Sequence, residues 1–165
     1  MPSFGWDWPF QYLLVPNEER TARIELGPDS CVIDGRSCFV RGCLDIPVIG
    51  QDEPFSWGAW VSLSQANFLR YAELHDNETR QPGARFVGWL CSAIPGYPDC
   101  TDEPLKAALH VRSWPTRPYI ELEPTDYPLA VEQREGITVE RLREIAARVM
   151  HPPVPDGSDG SDSAV

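Results

Sequence analysis

Between Phe55 and Leu63 every second residue is apolar (Phe55, Trp57, Ala59, Val61, Leu63), while Ser56, Gly58, Trp60 and Ser62 occupy the positions between. A period of two belongs to a β-strand with one buried face, because successive strand side chains point to opposite sides. The same period recurs three times. From Val40 to Val48 it sets Val40, Leu44, Ile46 and Val48 against Arg41, Cys43 and Asp45. From Leu105 to Arg112 it sets Leu105, Ala107, Leu109 and Val111 against Lys106, Ala108, His110 and Arg112, and from Pro118 to Glu123 it sets Ile120 and Leu122 against Tyr119, Glu121 and Glu123. Upstream, Asp34-Gly35 stands between two β-prone runs within Cys31–Val40, the strongest short hairpin signal a sequence carries. Arg85 to Cys91 reads as a further strand.

Helical signals lie between and after these strands. Pro16 with Glu18 and Glu19 suits a short helix running to Leu26 and ending at Gly27-Pro28. Ser62 or Ser64 caps a second helix that stops near His75-Asp76. Pro128 occupies a first-turn position of a third that ends at Gly136, and Thr138 caps a fourth with Leu142, Ile145 and Val149 on one stripe. The aromatic segment formed by Trp6, Trp8, Phe10 and Tyr12, with Leu13 and Leu14, needs something to pack on. Strands linked at hairpin distance and 165 residues in all point to a single α+β domain. The expected architecture is a mainly antiparallel sheet of five to six strands, with helices packed on one face and a C-terminal helix. Residues 1–151 form that domain, and 152–165, rich in Pro, Gly, Ser and Asp, are expected to be a disordered acidic tail.

The charge balance narrows the partners. Fourteen basic against 25 acidic side chains give a net charge of −11, which repels phosphate backbones and anionic lipid, so neither nucleic acid nor membrane is expected as a partner. No apolar run reaches membrane-spanning length. Five cysteines without a C-x-x-C pair, behind a start with no basic-then-apolar leader, suggest a reducing cytoplasm, where thiols pack as small hydrophobes. Cys31, Cys38 and Cys43 fall on both sides of a hairpin and do not converge on a metal, so none is expected. Cys43 sits beside Arg41 on the polar side, where a cation would activate a thiol; packing is the preferred reading there too. No G-x-S-x-G, Walker loop, dinucleotide fingerprint or H-E-x-x-H occurs, and no cofactor is expected.

The parity argument leaves one surface to explain. If the strands share a sheet, its second face collects Arg41, Asp45, Trp60, Lys106, His110, Arg112, Tyr119, Glu121 and Glu123. Aromatics among fixed charges suit an interaction surface; paired charges wetting a half-exposed sheet give the same composition. The favoured reading is a non-catalytic binding module for a protein or small-molecule ligand, with a basic protein as the partner that the acidity favours. One alternative is a small hydrolase or lyase in which His110 and Glu121 or Glu123 act as acid and base while Arg41 or Arg112 holds an anion. Another is an immunity-type protein that neutralises a basic toxin.

Several segments in order, Cys31-Val-Ile-Asp34, Phe39-Val-Arg-Gly42, Ile46-Pro-Val-Ile-Gly50, Phe55 to Ser64, Phe86-Val-Gly-Trp-Leu90, Arg117-Pro118, Glu121 to Asp126 and Pro128 to Ile137, resemble the bacterial domain-of-unknown-function family 2199. The likeness runs from about Tyr12 to Met150. It implies a small bacterial protein and no particular activity. Many relatives begin with a C-x-x-C-G element that resembles a zinc knuckle, where this chain has Met1-Pro-Ser-Phe-Gly-Trp-Asp-Trp8, and their Asp-His-Pro-Leu is here Asp126-Tyr127-Pro128-Leu129. Neither zinc nor a catalytic histidine therefore carries over to these positions.

Overall fold

Residues 3–100 and 102–150 are described by a computed structural model; the segment expected as a tail lies outside them. Two long antiparallel strands, β4 (Ser37–Ile46) and β5 (Phe55–Leu63), pair along their whole length from Cys38↔Leu63 to Ile46↔Phe55. From β5 the chain continues through β6 (Arg85–Leu90), β7 (Lys106–His110) and β8 (Tyr119–Leu122), each antiparallel to the one before. β8 then meets β4 in parallel at Cys43↔Tyr119 and closes a five-stranded barrel. An odd number of strands running alternately up and down must meet in parallel at the seam, which is why the sheet is mixed.

Two further strands use the free edge lengths of the long pair, and a third extends the sheet beyond one of them. β3 (Ser30–Ile33) pairs with the first part of β4 through a turn in which Asp34 and Gly35 both have positive φ, 55° and 67°, the hairpin that Asp-Gly favours. β2 (Ile24–Leu26) lies outside β3, and β1 (Ser3–Gly5) runs parallel to β5. Among the described residues the sheet therefore has eight strands, not five or six, and two of its pairings are parallel. Ile24-Glu25-Leu26, read as the end of a helix, is a strand because β3 offers it an edge. Helix formation stops after a 3-10 turn (Asn17–Glu19) and the single turn α2 (Arg20–Arg23).

The remaining helices follow their caps. α1 (Gln11–Leu14) is one turn in the N-terminal segment. α3 (Gln65–His75) begins where the Ser64 side chain accepts from the Asn67 N–H at 3.2 Å. α4 (Pro128–Glu135) starts on its proline and stops at Gly136, and α5 (Val139–Met150) is capped by Thr138, whose hydroxyl accepts from the Arg141 N–H at 3.1 Å. α3 packs on β4 and β5, and α4 on β4 and β8.

The barrel interior is the main core. Leu44, Ile46, Phe55, Val61, Leu109 and Ile120 have no exposed surface there, and Leu129 of α4 and Ile145 of α5 join the same cluster. A second, smaller core lies outside the barrel wall, where Val15, Cys31, Ile33, Phe39, Trp60 and Cys91 pack together with Phe10 and Ile24. The N-terminal aromatic segment covers this second core.

Candidate functional site

Strand register lays the outward side chains of β6, β7, β8 and β4 in rows across the barrel wall. One row runs Arg85, His110, Tyr119, Cys43. The next runs Val87, Ala108, Glu121, and a third joins Trp89 to Lys106, whose carbonyl accepts from the Glu123 N–H at 2.9 Å. Ala108, with a single methyl between Val87 and Glu121, leaves the middle row low. The result is a groove of about 300 Å³ with Arg85 and Lys106 on one side and Glu121 and Glu123 on the other.

At one end of the groove His110 Nε2 lies 3.1 Å from Glu121 Oε1, and the His110 ring lies 5.9 Å from that of Tyr119. Arg112, just past β7, places its guanidinium over the Tyr119 ring at 5.5 Å and 3.5 Å from Asp45 Oδ2. Its Nε and Nη2 are shielded from solvent and make no hydrogen bond. Burial pushes the Tyr119 phenol above its ordinary range, with the Glu121 and Asp45 charges acting in the same direction and Arg112 opposing. Arg85, Lys106 and Glu123 form no side-chain ion pair among the described residues.

Seven of the nine residues expected on this face are thus contiguous: Asp45, Lys106, His110, Arg112, Tyr119, Glu121 and Glu123. Two are not. Arg41 lies further round the wall, its guanidinium over Gly58 and Gly5, whose missing side chains leave the room. Trp60 points outward from β5 as its parity requires, yet it has no exposed surface, because the N-terminal segment covers it and the Trp6 carbonyl accepts its indole N–H at 2.9 Å. Alternation assigns a face; it does not say whether another segment lies over that face.

The groove also holds residues that the sequence reading did not single out. Arg85, Val87 and Trp89 line or flank it, and their parity, opposite to buried Phe86 and Leu90, was available to find them. The signal was blurred because Val87 and Trp89 are apolar on the outward side as well. Away from the groove, burial pushes the Cys31 thiol up to about 11 and raises Cys38, Cys91 and Cys100. Cys43 is the half-buried thiol. Among the described residues no group of three or more His, Cys, Asp or Glu is placed to hold a metal ion, and no helix is long and apolar enough to cross a membrane.

A wall of this kind can hold a ligand that carries both signs of charge, and its histidine–carboxylate pair can exchange a proton. Comparison with known proteins adds one match: a family described as an uncharacterised protein conserved in bacteria corresponds to residues 1–137. No curated protein and no solved structure is significantly similar to the chain.

Proposed function

We propose a function for a chain that belongs to the DUF2199 family of uncharacterised proteins conserved in bacteria: it is a non-catalytic binding module whose contact surface is the groove across β6, β7 and β8. The observation that carries this reading is the set of charges around one groove, Arg85 and Lys106 with Glu121 and Glu123 over the low floor at Ala108. Charges that wet a sheet for solubility pair across strands; Arg85, Lys106 and Glu123 have no ion-pair partner among the described residues. The partner is a protein that is basic overall, drawn in by the net charge of −11 and oriented by the two charged rims.

Affinity capture from the native lysate tests this reading with three baits: the wild type, an Arg85→Glu, Lys106→Glu double variant and a Glu121→Lys, Glu123→Lys double variant. A basic protein held by the wild type should be held about tenfold more weakly by both folded variants. Equal retention by all three would exclude the groove as the contact surface.

A second reading rests on the 3.1 Å contact between His110 and Glu121 at the groove's end. There the pair serves as acid and base for a hydrolase or lyase, with Arg112 beside it to hold an anion. Any substrate found by screening should then be turned over by the wild type and not by His110→Ala.

A further inference from the structure

The aromatic N-terminal segment covers the second core with its inner side and leaves apolar surface on its outer side. Trp6, Leu13 and Leu14 are exposed. Trp6, Trp8, Phe10 and Leu13 form a groove of about 110 Å³, completed by Ser92 and Ala93. Two polar atoms of its wall are already used: the Ser92 hydroxyl accepts the Trp60 amide N–H at 3.0 Å, and the Ala93 carbonyl accepts the Trp6 indole N–H at 2.9 Å. What the groove presents is mainly ring and methyl surface. Beyond Trp8 the strip continues, since Trp8 stacks on Tyr12 at 4.7 Å and the Arg20 guanidinium lies over the Tyr12 ring at 4.7 Å.

On its other side Trp6 borders the end of α5. A neighbouring cavity of about 280 Å³ is lined by Trp6 together with Phe4, Pro95, Arg148 and Val149. α5 ends at Met150, and the sequence goes on with His151-Pro-Pro-Val-Pro155 and then Asp156, Asp159 and Asp162 among Gly and Ser. The chain therefore leaves the described fold beside Trp6. Among the described residues neither Arg148 nor Arg20 has an ion pair; their hydrogen bonds go to the Gly96 and Val15 carbonyls and to Asn17. A cation without a carboxylate thus stands at each end of the strip.

We propose that residues 151–155 dock on this strip, with their prolines against Trp6 and Trp8 and the aspartates that follow directed to Arg20. The reach fits. An extended polyproline segment advances about 3.1 Å per residue, so five residues span about 15 Å, and a single indole, that of Trp6, is common to the two cavities. The chemistry fits as well: proline-rich segments dock in aromatic-lined grooves and lose little entropy there, because their extended form is preformed. A composition too poor in bulky apolar residues to build a core can still hold to a ready-made aromatic surface. The strip shares no residue with the groove across β6, β7 and β8, so its test is independent of the binding-module reading.

Two-dimensional NMR of the indole N–H signals tests the proposal, on the full chain and on a full-length variant carrying Pro152→Ser, Pro153→Ser, Val154→Ser and Pro155→Ser. All four changes lie outside the described fold. The Trp6 and Trp8 signals should shift in the variant, while those of Trp89 and Trp114 stay in place. A synthetic peptide of residues 150–162 added to the variant should return the two signals saturably to their wild-type positions, and the same peptide with the four serines should bind at least about tenfold more weakly. In the wild type the two signals should be independent of protein concentration. Unchanged Trp6 and Trp8 signals in the variant, or a peptide that never returns them, would overturn the proposal. Wild-type signals that move on dilution would overturn it too, by making a second copy of the chain the occupant.

Discussion

Among the described residues Arg80 is the arginine that is buried, 6% exposed, and none of them gives it a carboxylate partner. Its guanidinium donates instead to three carbonyls, those of Arg112 at 2.6 Å, His75 at 2.7 Å and Thr116 at 2.9 Å, and lies over the Trp114 ring. His75 is the last residue of α3, so the positive charge also meets the negative end of that helix. One side chain thereby ties α3 to the segment that holds Arg112 above Tyr119. Replacing it with methionine should cost about 3 kcal/mol, because three carbonyls are left without a donor in place of one satisfied cation; urea unfolding measures this, and a change below about 1 kcal/mol would show that water replaces the staple. Nothing in the sequence marks this role. Asn77 to Gly83 reads as a polar loop, and the three acceptors are backbone groups that any residue would supply.

At the scale of elements, the alternation in β4, β5, β7 and β8 was legible because each strand has one wall facing the core. Helix caps at Ser64, Pro128 and Thr138 were legible for the same local reason: a side chain or a ring fixes the first turn. The closure of the barrel was not, since period two describes a curled sheet and a flat one equally well. Strands of three residues, β1 and β2, are too short to show any period and exist because a neighbour's edge is free. Gln133 of α4 completes the seam region by accepting from the Leu122 N–H and donating to the Ile120 carbonyl, which gives β8 the bonds of an absent strand. Closure also needs Gly88: a β-carbon there would lie 1.9 Å from the Ser62 carbonyl oxygen and 2.8 Å from Val61 Cγ1. β6 can cross the end of β5 at that distance only without a side chain. Gly88→Ala should therefore destabilise the fold by about 3 kcal/mol, measured as a drop in the thermal midpoint; an unchanged midpoint would mean that the two strands separate freely.

For the molecule as a whole, the N-terminal segment is a cover as much as an element. It pairs through β1, bonds to Cys91 through the Phe10 N–H at 3.0 Å and the Gln11 side chain at 3.2 Å, and hides Trp60. This cover is what divides the expected nine-residue face into a buried part and an open one, a division that no local pattern announces. Removing residues 1–14 should lower stability by about 3 kcal/mol and open Cys91 to alkylation under native conditions, where the intact chain shields it. Mass spectrometry of the alkylated protein reads this directly; a Cys91 labelled at the same rate in both forms would show that the segment does not cover it.

The parallel seam bears on how the chain is made. β4 ends at Ile46 and its closing partner begins at Tyr119, so on a ribosome more than half of the barrel leaves the exit tunnel before its last wall exists. Until then β4 and β5 stand as an unclosed pair with apolar residues facing water, a state that invites association with other nascent chains. Slow synthesis between those two points would prolong that exposure, and the chain is therefore one whose yield should respond to the pace of translation as well as to its final stability.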